Sequence, residues 1–244
     1  MECGRFNSNV SERAIILRIK SSVVQNPLFD VDGVPGQGKL IEPIEAPVPC
    51  YENAFEGVED LVVLRKCVVQ CNQCMLRKGA KGVVFGEGNP RAQIMFIGEG
   101  PGKTEDDTGK PFVGRAGQLL DLMLRAHGFS REEVFIGNIV KCRPPGNRLP
   151  TNEEVQACLP NLKAQIRVIQ PEIIVLLGAL SSQTLIDPGI RVTKDRGRWF
   201  EKEGINYLAT FHPAAVLRDE TGKKPLMWED FRSLRYKYEH LCKK

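Results

Sequence analysis

The sequence lacks any long apolar run. No stretch approaches the 18 or more apolar residues of a membrane-spanning helix, so we expect no membrane partner. The first residues, Met-Glu-Cys-Gly-Arg-Phe, also lack the basic start and apolar stretch of a signal peptide. These two absences predict a cytoplasmic protein. Because disulfides are rare in that compartment, the eight cysteines indicate metal or redox use.

The chain also lacks a strong excess of charge of either sign. Its net charge of +4 permits an anionic partner but does not require one. The basic residues are nevertheless clustered in two stretches, which suit either a solvated face or contacts with phosphates. The clustered residues are Lys141, Arg143 and Arg148, then Arg191, Lys194, Arg196 and Arg198.

Four cysteines form one candidate ligand set. Cys71 and Cys74 make a C-x-x-C, and Cys142 and Cys158 follow at wide, irregular spacing. A zinc ribbon usually has a second C-x-x-C, which is missing here, so an iron–sulfur cluster fits the spacing better. Zinc and four ordinary buried cysteines are the alternatives. Cys67 is a competing ligand, because a helix would place it on the same face as Cys71.

Two regions differ in composition. Residues 1–58 include a Gly- and Pro-rich stretch over 30–52, so we expect an irregular N-terminal extension. Residues 59–244 alternate between apolar strands and amphipathic helices. This alternation predicts an α/β fold, a three-layer αβα sandwich with a central four-stranded parallel sheet. The predicted strands cover 93–98, 134–140, 173–178 and 207–212, and the main predicted helices cover 117–127, 151–169, 178–186 and 227–240.

The residues that end the predicted strands carry candidate chemistry, because ligands of parallel sheets bind beyond the carboxyl ends of the strands. The ends here are Gly98-Glu99-Gly100, Asn138, Gly178 and His212. Small residues after the first strand let backbone N–H groups approach a ligand, or simply make a tight turn. Asn138 offers one donor and one acceptor to a planar polar edge, or simply satisfies the backbone at the strand end. An isolated histidine such as His212 is more often structural, but this one converges with Glu99 and Asn138 at one edge of the sheet.

The loop after the first strand adds an aromatic residue and two acids. Phe112 would be core in most settings, but on a loop at the strand ends it can stack on a base. Glu105 and Asp106 are either catalytic carboxylates or ordinary surface charges.

Four short motifs occur along the chain in a recognisable order. They are Gly98-Glu-Gly-Pro-Gly102 with Glu105-Asp106, Gly109-Lys-Pro-Phe-Val-Gly114, Asn138-Ile-Val-Lys-Cys-Arg-Pro-Pro145 and His212-Pro-Ala-Ala-Val-Leu-Arg218. From about Val62 to Tyr238 the chain resembles the uracil-DNA glycosylase superfamily, specifically its family 4, the iron–sulfur branch. The resemblance implies a nucleoid-associated DNA repair enzyme that flips and excises uracil and holds a [4Fe–4S] cluster.

The resemblance also implies roles for individual residues. Glu99 and Gly100 would line the pocket, Phe112 would stack on uracil, Asn138 would read its edge, and His212 would face its O2. The catalytic set would be Glu99, Glu105 and His212. The cluster ligands, which exclude Cys67, would be Cys71, Cys74, Cys142 and Cys158. For DNA contacts we expect Lys141, Arg143, Arg148 and Arg218, with Val216 and Leu217 as a wedge into the vacated stack.

Two residues depart from the best-known branch of that superfamily. Gly100 stands where that branch has a water-activating aspartate, and Gly102 where it has a bulky aromatic that excludes the methyl group of thymine. Glu99, Glu105 and Asp106 are therefore the candidates for activating water, and Glu99 for rejecting thymine. Because these motifs contain no well-placed lysine for a Schiff base, we expect a monofunctional enzyme without strand cleavage.

The remaining expectations concern partners. We expect uracil-containing DNA, single- or double-stranded, as substrate, and a monomeric protein. Gln25-Asn-Pro-Leu-Phe29 has the Q-x-x-L-F spacing of peptides that dock on bacterial sliding clamps, although chance explains most matches to so short a motif. The competing class is a non-catalytic iron–sulfur or zinc protein that binds nucleic acid.

Overall fold

The computed structural model describes Phe55 and residues 57–241. The predicted extension over 1–58 therefore lies almost entirely outside the described residues, as does the Gln25–Phe29 segment. Phe55 is buried in the core, and its carbonyl accepts a hydrogen bond from the guanidinium of Arg167. Phe55 therefore packs against the folded domain.

A six-stranded sheet forms the centre of the described domain. Its strands are β1 (Glu87–Gly88), β2 (Ile94–Gly98), β3 (Phe135–Asn138), β4 (Ile173–Leu177), β5 (Trp199–Lys202) and β6 (Ile205–Thr210). They lie in the order β1-β3-β2-β4-β6-β5. The inner strands β3, β2, β4 and β6 are parallel, which confirms the predicted four-stranded parallel sheet. The edge strands β1 and β5 pair antiparallel and were not predicted.

The helices connect these strands and pack against them. They are α1 (Leu61–Val68), α2 (Leu76–Gly79), α3 (Lys103–Thr108), α4 (Arg115–Ala126), α5 (Asn152–Ile169), α6 (Ala179–Leu185), α7 (Val192–Asp195), α8 (Pro213–Val216) and α9 (Glu220–Leu241), with a 3₁₀ turn at Pro145–Asn147. The predicted capping box starts α5, where Thr151 and Glu154 each accept the other's backbone N–H. No helix between residues 57 and 241 has the length and apolar character that a bilayer span requires.

Helices cover both faces of the sheet. On β2, Met95 and Ile97 belong to a buried cluster with residues of α1 and α5, whereas Ile94 and Phe96 pack with residues of α4 and α9. The alternation follows from the two-residue period of a strand, whose successive side chains point to opposite faces. The described domain is therefore the predicted three-layer αβα sandwich.

Two helices differ from the expectation. The segment over 103–108 was expected as a loop but forms α3, whose six residues are too few to show a helical period. The terminal helix α9 begins at Glu220 rather than near residue 227. The sequence predicted the later start because Pro225, which lies inside the helix, is usually a helix breaker.

The strand order places an opening at the carboxyl ends of the parallel strands. The chain passes from β2 to β3 on one side of β2 and returns to β4 on the other side. The connections that leave β2 and β4 therefore diverge, and such a switch point is where open α/β sheets bind ligands.

Candidate active site

A cavity of about 560 Å³ opens at the carboxyl ends of the parallel strands. The segments that follow β2, β3, β4 and β6 all contribute to its lining, so the predicted convergence of the strand ends is present. The predicted site residues that line it are Glu99, Gly100, Glu105, Phe112, Asn138, Arg148, His212 and Arg218.

Asn138 ends β3 and is only 1% exposed. Its backbone is fixed, since it pairs with Gly98 of β2 and its carbonyl accepts a hydrogen bond from Lys141 Nζ at 2.9 Å. The side-chain Oδ1 of Asn138 is buried and has no hydrogen-bond partner among the described residues. Leaving a buried acceptor unsatisfied is costly, so this oxygen is suited to a ligand that brings a donor.

Phe112 forms an aromatic wall of the cavity. Its backbone φ of 51° lies in the left-handed region, which is uncommon for an aromatic residue and typical of a constrained functional site. The conformation is held by Arg131, whose Nη1 donates to the Phe112 carbonyl at 3.2 Å. The ring of Phe112 lies 5.7 Å from the ring of His212, with an interplanar angle of 34°. The cavity therefore has a fixed aromatic face beside an imidazole.

Two glycines provide the space between these groups. A Cβ on Gly98 would lie 2.5 Å from Phe112 Cζ and 2.6 Å from Asn138 Oδ1. Gly178 has a φ of 105°, and a Cβ there would lie 2.7 Å from Glu99 Oε1. Glycine is needed at both positions because the ring, the amide and the carboxylate each approach the backbone directly.

His212 follows β6 and caps α8. The backbone N–H of Ala214 donates to its Nδ1 at 3.1 Å, so the neutral ring carries its proton on Nε2. Burial lowers the pKa of His212 to about 4; the charge of Arg218 acts in the same direction, and Glu105 opposes it. At neutral pH the ring is therefore uncharged, with Nε2–H as its donor.

Glu99 is a candidate for the carboxylate that activates water. It lines the cavity between β2 and β4, and it is half-buried. Burial raises the pKa of Glu99, while Arg218 and a hydrogen bond from the backbone of Leu180 act in the opposite direction. A raised pKa makes a carboxylate a stronger base, which suits proton transfer from water.

Glu105 and Asp106 are instead bound to backbone groups. Glu105 Oε1 accepts from the N–H groups of Val113 and Gly114 at 3.0 and 2.8 Å, and its Oε2 accepts from Gly102 N–H at 3.1 Å. Asp106 accepts from a backbone N–H of a neighbouring loop at 3.0 Å. The Glu105 contacts fix the segment that follows Phe112, and the Asp106 contact fixes the neighbouring loop.

Arg148 and Arg218 line the cavity, and Arg143 lies in the segment that leads to Arg148. Arg148 makes two hydrogen bonds to Glu154, at 2.8 and 2.7 Å, while part of its side chain stays exposed. Arg143 is half-buried, and its Nε donates to Asn147 Oδ1 at 2.8 Å. Arg218 is exposed and lines the cavity. The rim is therefore electropositive, as an anionic substrate requires.

Two of the residues predicted to contact DNA are buried. Lys141 is 1% exposed, because its Nζ turns inward to the Asn138 carbonyl and to Gln165 Oε1 at 2.6 Å. Val216 is fully buried, because the turn of α8 packs it into the core against α4 and α9 residues. Neither side chain can reach a phosphate or a base stack in this conformation. Leu217 is half-buried.

The residues lining the cavity that sequence reasoning missed include Leu149, Thr193 and Lys223. Leu149 carried a signal, since an apolar residue lies there between Arg148 and Pro150 in a loop that follows a strand end. Thr193 and Lys223 carried none, because tertiary packing alone brings α7 and the start of α9 to the cavity.

A second cavity is lined by Cys71, Cys74, Cys142 and Cys158, and Cys67 is not among its lining residues. Within residues 57–241 no three His, Cys, Asp or Glu side chains approach closely enough to hold a single metal ion. The four cysteines nevertheless line one cavity, so they are candidate ligands of one shared metal centre.

The surroundings of these sulfurs suit thiolate ligands. Cys158 Sγ accepts hydrogen bonds from Lys141 N–H at 3.3 Å and from Asn161 Nδ2 at 3.7 Å. Burial raises the pKa of Cys142 to about 12 and that of Cys158 to about 11. Such thiols ionise only when a cationic centre takes up the negative charge, and ligand cysteines are thiolates. The donor set therefore matches a cationic metal cofactor.

Comparison with known proteins agrees with this geometry. Residues 85–234, more than half of the chain, match the model of the uracil DNA glycosylase superfamily. A type-4 uracil-DNA glycosylase of Thermotoga maritima is 46% identical over 169 residues, which cover 68% of this chain and 87% of that protein. Those of Sulfurisphaera tokodaii and Pyrobaculum aerophilum are 41% and 42% identical, covering 73% and 71% of this chain and 84% and 90% of theirs. The chain therefore belongs to the uracil-DNA glycosylase superfamily, in its type-4 branch.

Proposed function

We propose that this protein excises uracil from DNA by hydrolysing the N-glycosidic bond and leaves an abasic site. The observation that carries the proposal is the buried, unpartnered Oδ1 of Asn138, in a cavity that the Phe112 ring and His212 also line. A planar base with an N–H donor on its edge satisfies that oxygen and meets the ring at the same time.

Base recognition follows from the amide of Asn138. The N3–H of uracil donates to Oδ1, and its O4 accepts from Nδ2. Cytosine presents an N3 acceptor beside an N4 donor, so both contacts with the same amide orientation are lost, and such a bidentate contact is worth about 1–3 kcal/mol of discrimination. Stacking on Phe112 adds about 1–3 kcal/mol to binding of the flipped base.

His212 assists departure of the base. As the bond between C1′ and N1 breaks, its electron pair leaves with uracil, and the sugar becomes oxocarbenium-like. Negative charge develops on uracil O2, where the Nε2–H of His212 donates a hydrogen bond. One such donor at a developing oxyanion is worth about 10²–10³ in rate. A neutral imidazole serves this role, because the ring gives a hydrogen bond and needs to transfer no proton.

Glu99 is our choice for the residue that receives a proton from water as the water oxygen bonds to C1′. Its carboxylate lines the cavity, and its pKa is raised by burial. Glu105 is better described as a positioning residue, because its two oxygens already accept from three backbone N–H groups. Asp106 is set aside because it is not among the residues that line the cavity, and its carboxylate binds a neighbouring loop.

The reaction ends at the abasic site in this proposal. A lyase would need a free amine that attacks C1′. Lys223 lines the cavity, but its ammonium pairs with Asp219 and lies 5.9 Å from the centroid of the Phe211 ring. Arg143, Arg148 and Arg218 hold DNA through its phosphates, so affinity falls as salt rises.

We assign a [4Fe–4S] cluster to Cys71, Cys74, Cys142 and Cys158. The fit rests on the shared cavity and on the N–H groups that donate to Cys158 Sγ. When bound, the cluster supplies a cross-link between the segment after α1 and the segments that follow β3. That link stabilises the end of β3, where Asn138 lies, and we assign it no step of the reaction.

The test is a uracil-bearing oligonucleotide treated with the purified protein and then with alkali. We expect free uracil and a strand that breaks only after alkali, with matched thymine and cytosine strands intact. Breakage without alkali would contradict the monofunctional mechanism. A folded, iron-loaded protein that releases no uracil would contradict the proposed function.

A further inference from the structure

Leu149 is a large apolar residue exposed at the rim of the base cavity. Its side chain is 62% exposed although it lines the cavity, and it follows Arg148 in the loop between β3 and α5. Exposed leucines elsewhere on the surface need no explanation. Leu149 lies beside the electropositive rim of the cavity, where bound DNA would contact it.

The loop that carries Leu149 is held in place from several directions. Arg148 Nη1 donates to the Leu149 carbonyl at 2.9 Å, and the same guanidinium binds the buried carboxylate of Glu154. Asn147 is held in the left-handed region, with a φ of 56°, by a hydrogen bond from Arg143. Pro150 then leads into the capping box of α5. A backbone fixed in this way presents its leucine with little entropy left to lose on binding.

Resting on the proposed function, we propose that Leu149 inserts into the base stack of duplex DNA and occupies the gap that the flipped uracil leaves. Val216, expected in that role from sequence, is buried, and Leu217 is half-buried against the core. Leu149 therefore supplies the exposed apolar group at the rim. It is a positioning residue, since it contacts the neighbouring stack and not the reacting bond.

The position of Leu149 at the rim of the base cavity indicates that its partner is the base stack of duplex DNA. Flipping a base removes its stacking and leaves apolar base faces exposed to water. A leucine that fills this gap is buried between the two neighbouring base faces. That burial should increase the population of DNA with a flipped uracil about tenfold to hundredfold. A single strand has no opposing strand and no such gap. The contribution of Leu149 should therefore be largest for U·A pairs, smaller for U·G mismatches, which cost less to open, and smallest for single strands.

The experiment compares single-turnover uracil cleavage on these three substrates by the full-length, cluster-loaded protein. Leu149→Ala should lower the ratio of the U·A rate to the single-strand rate about tenfold or more. Leu149→Met, which keeps an apolar chain of similar size, should restore most of that ratio. The matched control is Leu122→Ala, an exposed leucine on α4 that does not line the cavity and should leave the ratio unchanged.

Equal losses on duplex and single strand, or no loss on either, would overturn the insertion role while leaving the proposed function standing. A loss that Leu149→Met fails to restore would also overturn it, because a specific backbone effect and not apolar filling would then be responsible. A parental protein that releases no uracil from any of the three substrates would instead refute the proposed function itself.

Discussion

Adding one methyl group at Gly98 should disable the base cavity. The new Cβ of Gly98→Ala would lie 2.5 Å from Phe112 Cζ and 2.6 Å from Asn138 Oδ1. Carbon atoms in contact are normally about 3.5–4.0 Å apart, so the ring or the amide must move by about 1 Å. Overpacking of this size costs about 1–3 kcal/mol of stability. A 1 Å misplacement of a positioning group can cost about 10² in rate.

The two effects of Gly98→Ala are separable by measurement. We expect a modest fall in Tm together with about a hundredfold slower single-turnover cleavage of uracil-containing DNA. Gly82→Ala is the matched control, because a Cβ at Gly82 would meet nothing within 4 Å. If Gly98→Ala cleaves at the parental rate with an unchanged Tm, the close packing of ring, amide and backbone in the cavity is refuted.

Other substitutions test the remaining assignments. Cys142→Ala should express poorly and lose its iron and colour, whereas Cys67→Ala should keep both; a colourless Cys67→Ala protein would overturn the ligand set. His212→Ala should fold with its iron and slow cleavage by about 10²–10³. Because burial holds the folded pKa of His212 near 4, below its ordinary 6.5, its contribution to stability is complete above pH 6.5 and lost as pH falls towards 4. NMR should show a neutral ring protonated on Nε2 from pH 5 to 8, and a midpoint near 6.5 would contradict this. Glu105→Gln should lose one of three backbone contacts, lower stability by about 1–3 kcal/mol and slow cleavage moderately; a large rate loss without a fall in Tm would make Glu105 catalytic instead.

The layers of the fold could be predicted from sequence because they depend on local patterns. Continuous apolar runs such as Ile173–Leu177 mark strands that are buried on both faces, and the Thr151 capping box marks the start of α5. The edge strands could not be predicted in the same way. Glu87–Gly88 has only two residues, and the Trp199–Lys202 strand is partly exposed, so neither shows a sustained pattern.

The site could be predicted only where residues end strands. Asn138 and His212 lie at the cavity because strand ends converge in any parallel sheet. The side chain of Lys141 points inward because its Nζ donates to Gln165 of α5. No local sequence pattern encodes that contact. The burial of Val216 likewise follows from the packing of α8. The exposed apolar residue at the rim is Leu149, which lies in a different loop.

Cleavage by Asn138→Asp tests the central claim most directly, because that claim is that a fixed amide reads uracil. An ionised aspartate offers only acceptors, so it keeps one contact with the uracil edge and loses the donor to O4. Single-turnover release of uracil from U·G duplexes should fall at least about tenfold, with folding and iron content intact and at most a trace of cytosine released from C·G duplexes. Undiminished uracil release by the folded, iron-loaded variant would show that Asn138 is not the reader and would contradict the account of the cavity.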